Sequence, residues 1–152
     1  MNSQTKEVRP RLKTEVDRKH LWDLLDWIDV IATDHAPHTM GEKEEKGCPG
    51  FPGLETCLPL LITAYKQGKI TIEQIIQKCY TNPRKIFNLP EQANTYIEVD
   101  LDTEWTIKNE DQFTKCKWTP FAGMKVYGIV RRVILRGKLV LKFLLLKIYL
   151  VN

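Results

Sequence analysis

Asp34, His35 and His38 place three groups that divalent metals accept, one carboxylate and two imidazoles, within five residues. A carboxylate so placed can ligate a metal through one oxygen while the other takes a proton from metal-bound water, so that one residue serves as ligand and general base. The same residues also suit a plain turn, with Asp34 accepting backbone N–H groups, the histidines hydrogen-bonded at a surface and Pro37 shaping the bend. For a motif this short, taken alone, the turn is the favoured reading. Its position bears on the choice, because reactive side chains in parallel α/β architectures sit at the carboxyl ends of strands.

Ile28 to Thr33 is short, β-branched and nearly all apolar, and predicts a strand buried on both faces that ends at Asp34. Ahead of it, Val16, Leu21, Leu24, Leu25 and Trp27 share a stripe of a helix over residues 15–27, where His20 is expected to have a surface or packing role. Residues 39–53 read as a loop closing on Gly50-Phe51-Pro52-Gly53. Leu54, Cys57, Leu58, Leu61, Ile62 and Tyr65 then form the stripe of a core-facing helix that Gly68 ends. Thr71 and Gln74 make a capping-box pattern for a further helix, expected to stop ahead of Asn82-Pro83. From residue 95 the period becomes two, through Ile97, Val99 and Leu101 and again over 126–135, which predicts strands. A lone βα unit leaves a buried parallel strand without neighbours for its backbone groups. The sequence therefore implies a piece of a larger fold or assembly with another chain.

At 152 residues and 43% hydrophobic, the chain can bury a modest core. The net charge of +4 conceals a division at Asp111, the last acid: 14 basic residues face 19 acidic ones up to that point, and 9 face none beyond it. Those late charges alternate with Val, Ile and Leu without stacking aromatics, so a solvated strand face is expected and nucleic-acid binding is not. Cys48, Cys57, Cys79 and Cys116 form no C-x-x-C pair and read as reduced thiols. With no apolar stretch behind the first charges, a cytoplasmic location is expected. The apolar run from Leu139 to Val151 is too short for a membrane span and carries Lys142 and Lys147, so a buried strand or short helix is its plain reading.

Four blocks narrow these alternatives: Ile31-Ala32-Thr33-Asp34-His35-Ala36-Pro37-His38-Thr39, Gly50-Phe51-Pro52-Gly53-Leu54-Glu55-Thr56, Asn82-Pro83-Arg84-Lys85-Ile86-Phe87 and Trp105-Thr106-Ile107. In order and over about residues 7–138, they resemble dihydroorotase of the amidohydrolase superfamily, most of all the form found in the multifunctional pyrimidine-biosynthesis polypeptide of animals. The resemblance implies an α/β fold: the C-terminal part of an amidohydrolase (β/α)8 barrel over residues 1–94, strands of the adjoining small β-sandwich over 95–138, and a divergent tail over 139–152. It implies interconversion of N-carbamoyl-L-aspartate and L-dihydroorotate at a binuclear zinc site. Asp34 matches the aspartate that ligates zinc and moves the proton between bridging hydroxide and ring amide nitrogen. His38 matches a residue that helps hold the substrate carboxylate, and Pro49 falls where the backbone meets the pyrimidine ring. His35 is expected to act as a hydrogen-bond partner rather than a ligand, and Glu55 as a first-turn acid favoured by the helix dipole.

The sequence departs from the family in three places. The loop between His38 and Gly50 differs from it in length and in its Gly-Glu-Lys-Glu-Glu-Lys run. The other metal ligands, a His-x-His pair, a carboxylated lysine and further histidines, have no counterpart here, and the tail beyond Lys138 is unlike the family's return to the sandwich. This chain by itself is therefore expected to be inactive. The alternatives are an interaction fragment that docks on a dihydroorotase subunit, a homo-oligomer or missing barrel portion that completes the site, and a related cyclic amidase such as dihydropyrimidinase.

Overall fold

The computed structural model describes residues 7–144 and 147–150. Helix α1 spans Glu15–Asp23 and runs through a 3-10 turn, Leu25–Trp27. It is followed by an extended segment, then by α2 (Met40–Lys46), α3 (Leu54–Lys66) and α4 (Ile72–Ile76), with α5 (Asn82–Ile86) joined to α4 by a π-turn over Gln77–Thr81. Strands β1 (Tyr96–Thr106), β2 (Lys125–Leu135), β3 (Lys138–Leu144) and β4 (Lys147–Leu150) form one antiparallel sheet in the order β1-β2-β3-β4. The strands expected from the period-two pattern are present, and the apolar tail supplies β3 and β4 as far as it is described. Among the described residues no helix is long and apolar enough to cross a membrane.

Helix α3 joins the two layers. Its Ile62, buried with Ala64, meets Leu25 beneath α1 and Ile75 on α4, while Leu101 and Tyr127 reach the same core from the sheet. The contact with β2 depends on Gly128, which has φ +94°, and a Cβ there would lie 2.9 Å from the Ile62 Cβ. Thr63 fastens the crossing: its hydroxyl accepts from the Tyr127 amide at 2.9 Å and donates to the Pro59 carbonyl at 2.7 Å. Along β1 the register slips between Asp100 and Glu104. The Asp100 carboxylate stabilises that irregularity by accepting from the Asp102 and Thr103 amides and from Arg131.

Four expectations change. Residues 28–33 run extended but join no strand among the described residues. Ala32 is exposed rather than buried, because the neighbours that a parallel strand needs are not among them. The stripe on α1 is solvent-facing except at Leu25, with Trp27 84% exposed. The 39–53 loop contains α2, started by a capping box in which Thr39 and Glu42 exchange hydrogen bonds and ended by Gly47 at φ +62°. Pro83 does not stop the helical run either. The π-turn before it absorbs the lost hydrogen bond and Pro83 sits in the first turn of α5, where a missing N–H costs nothing.

Gly128→Ala should lower stability by about 1–3 kcal/mol through overpacking against Ile62, seen as a lower urea midpoint. Arg131 first, then the nearby amides, hold the Asp100 carboxyl far below the usual carboxylate range. A depressed folded-state pKa stabilises above the unfolded value, about 3.9, and that contribution fades as pH falls through the folded value. Asp100→Asn should therefore flatten the acid limb of the unfolding profile below about pH 4, with little change in slope near neutrality.

Candidate active site

The extended segment that delivers Asp34 is held by helix side chains where a sheet would have supplied neighbours. The Lys78 ammonium donates to the Ile28 carbonyl at 2.6 Å, Asn82 Nδ2 donates to the Asp29 carbonyl at 2.8 Å, and the Ile31 amide donates to the Lys78 carbonyl at 3.2 Å. At its end Asp34 adopts φ +46°, a left-handed conformation that costs a non-glycine residue on the order of 1 kcal/mol. Its side chain is at the exposed surface. The carboxylate is thus set by a strained turn at the close of a tethered extended segment.

His35 has a specific partner. It forms a parallel bridge with Phe51, and its ring Nδ1 accepts from the Gly53 and Leu54 amides, both at 3.1 Å. These amides lie at the start of α3, where Gly53 has no side chain to cap them, so the imidazole caps the helix from a distant segment. Nδ1 must then be the acceptor, with the ring hydrogen on Nε2. This fits a hydrogen-bonding role and takes one of the two ring nitrogens away from any ligand.

The bridge brings the loop at Pro49 alongside Asp34. The Ala36 amide donates to the Phe51 carbonyl at 2.9 Å, and Gly50, at φ +117°, lies so close that a Cβ would fall 2.4 Å from the Ala36 Cβ. Pro49 is half-buried between Cys48 and Gly50. His38, also half-buried, is held through its backbone: its carbonyl accepts from Trp118 Nε1 at 2.8 Å. Trp118 belongs to the loop between β1 and β2 and meets Phe51 edge-to-face at 6.2 Å. Glu55 ties down the same loop, its carboxylate accepting from the Phe113 and Thr114 amides at 2.8 Å each. It remains a first-turn acid, with a second role that sequence pattern does not carry. His20 lies exposed on α1, away from these residues.

Lys43 is the residue of the site that sequence pattern hides most fully. It sits in a Gly-Glu-Lys-Glu-Glu-Lys run that looks solvated, yet it is 0% exposed. Its ammonium donates to the carbonyls of Cys48 and Gly50, both at 2.8 Å, and of Glu7 at 3.3 Å, beside the rings of Phe51 and Trp118. The nearest legible signal is the Thr39-x-x-Glu42 box, which starts the helix that carries it.

No protein-family model matches the chain. Individual proteins do. It is 58% identical over 134 residues to multifunctional protein pyr1-3 of Dictyostelium discoideum, covering 88% of this chain and 6% of that one. It is also 58% identical over 133 residues to multifunctional protein CAD of Squalus acanthias. With the dihydroorotase of Pyrococcus horikoshii it shares 45% over 142 residues, 90% of this chain and 34% of that enzyme. Over most of its length the chain is similar in sequence to dihydroorotases. It spans about a third of the archaeal dihydroorotase and a far smaller share of the multifunctional proteins. Among solved structures, the inactive dihydroorotase-like domain of the Chaetomium thermophilum CAD-like protein superposes with a TM-score of 0.70 at 30% identity, over 85% of this chain and 37% of that one. L-hydantoinase (dihydropyrimidinase) of Arthrobacter aurescens gives 0.80 at 26%, over 91% and 34%. The chain thus has the fold of part of these dihydroorotase-like and hydantoinase structures, and its sequence lies nearer the dihydroorotases than the hydantoinase compared with it.

His35→Ala should leave the first amides of α3 uncapped and cost about 1 kcal/mol, read as a lower thermal midpoint with faster hydrogen exchange confined to the start of α3.

Proposed function

We propose that this chain forms one wall of a dihydroorotase active site, the last βα unit of an amidohydrolase barrel (residues 1–94) with strands of the small sandwich (95–138) and the tail beyond. The observation that carries the reading is the His35–Phe51 bridge, which sets the turn of Asp34 and the Pro49 loop side by side in a chain 58% identical to the multifunctional proteins. The exposed stripe on α1 and the unpaired segment 28–33 support it, since both are surfaces that further barrel strands and helices would cover.

The reaction proposed is reversible hydrolysis of the cyclic amide of L-dihydroorotate to N-carbamoyl-L-aspartate in pyrimidine synthesis. Water adds to the ring carbonyl and the C–N bond breaks. The Asp34 carboxylate takes the proton released by water and returns it to the departing ring nitrogen, so one group acts as base and then acid. His38 holds the substrate carboxylate, and the backbone at Pro49 lies against the ring.

The family's zinc would polarise the carbonyl and acidify water. The residues present do not fit a binuclear centre by themselves: among the described residues no three His, Cys, Asp or Glu side chains cluster to hold a metal ion, and Nδ1 of His35 is engaged by α3. Asp34 offers one ligand, and the remaining ones must come from outside this chain. A second reading, a fragment that docks on a dihydroorotase subunit, draws on the same exposed apolar stripe.

Chain 1–152 alone should open no dihydroorotate ring, with or without added zinc. When it replaces the matching third of the Pyrococcus horikoshii enzyme in one polypeptide, ring opening should be retained, and Asp34→Asn should lower kcat about 10²- to 10⁴-fold. A folded chimera without turnover, or turnover by 1–152 alone, would overturn the assignment of the active site or that of its incompleteness, respectively.

A further inference from the structure

We infer that Lys43 is a positioning residue whose buried ammonium fixes the backbone on both sides of Pro49. What the loop faces rests on the dihydroorotase reading; how the loop is held rests on geometry alone. An ammonium has three hydrogens and no acceptor capacity, and burial without partners would be costly. Here three carbonyls take them, and two of those, Cys48 and Gly50, are the carbonyls that flank Pro49. The third, of Glu7, also accepts from the Gly50 amide at 3.0 Å, which ties the start of the described chain to the same point.

Proline has no N–H to anchor its own peptide, so the loop cannot be held by an amide at residue 49. With the carbonyls on either side turned to one ammonium, the peptide at Pro49 is fixed from both flanks. The grip extends to the catalytic turn, because Gly50 abuts Ala36 and the Phe51 carbonyl accepts from the Ala36 amide. Phe51 and Trp118, with ring centroids 5.5 and 5.8 Å from Nζ, close the cage and give it cation–π contacts. A guanidinium, a planar fork, does not reproduce three converging bonds of this kind.

In the full chain, the Lys43 ammonium should give a slowly exchanging ¹⁵N signal unlike the surface lysines. Lys43→Met, which keeps the apolar stem, should speed exchange of the Gly50 and Ala36 amides about tenfold or more while the β1–β2 amides stay as in wild type. A fast-exchanging ammonium in the wild-type chain, or unchanged Gly50 and Ala36 protection in the variant, would overturn the inference. The wild-type measurement decides it even if the variant does not fold.

In the ring-opening chimera, Lys43→Met should raise KM for dihydroorotate about tenfold with kcat nearly unchanged, the signature of lost ground-state and transition-state binding alike. Lys43→Arg should fail to restore it. A fall in kcat with KM unchanged would remove the link to substrate. An inactive but folded wild-type chimera would defeat the dihydroorotase reading, and the exchange measurements would still decide how the loop is held.

Discussion

A fully buried ammonium must have each hydrogen accepted, and around Lys43 that demand organises the loops of the site. The residue draws in the carbonyls of Glu7, Cys48 and Gly50, and with them a stretch of chain that has little regular structure of its own. Phe51 and Trp118 complete the enclosure, and Trp118 passes the constraint to His38 through its indole N–H. Remove the charge and the carbonyls that it gathers lose their common partner, a heavier consequence than loss of one exposed ion pair. The ion pairs at the sheet surface, such as Lys125 with Glu104, have no comparable reach.

The second organising element is α3. One end receives the His35 imidazole and sends Glu55 to the β1–β2 loop, while its middle meets β2 at Gly128 and Thr63. The helix therefore couples the turn of Asp34 to the sheet. That coupling explains why a loop between two strands of the sheet takes part in shaping a site that lies at the end of an α/β segment. Glycine is needed at 128 because the backbone there passes too close to Ile62 of α3 for a Cβ, and at 50 for the same reason against Ala36.

The exposed face of α1 and the extended segment 28–33 have a common cause. Both carry the apolar composition of buried elements, yet the described residues cover them only in part: Ile31 packs on the core, while Ala32 and most of the α1 stripe stay exposed. Lys78 and Asn82 satisfy two carbonyls that a neighbouring strand would otherwise take. A chain with these surfaces, matching about a third of an archaeal dihydroorotase, fits the proposed role of one wall among several.

Much was legible from residue order because it depends on local chemistry. Helix α3, the Thr71–Gln74 cap and strands β1 and β2 follow from period and capping and are present, although Leu54 of the expected α3 stripe and Ile97 of β1 are exposed. The resemblance to dihydroorotase rested on contiguous blocks, and the comparisons support it. The Thr39–Glu42 cap was equally local, but glycine, proline and charge around it masked the short helix. Other features exist only through contacts distant in sequence: His35 capping α3, Glu55 accepting from residues 113 and 114, and Trp118 donating to residue 38. Lys43 shows the division most clearly. Its sequence neighbours are charged and solvated, and only the folded chain, by closing carbonyls and two aromatic rings around it, makes it a buried residue.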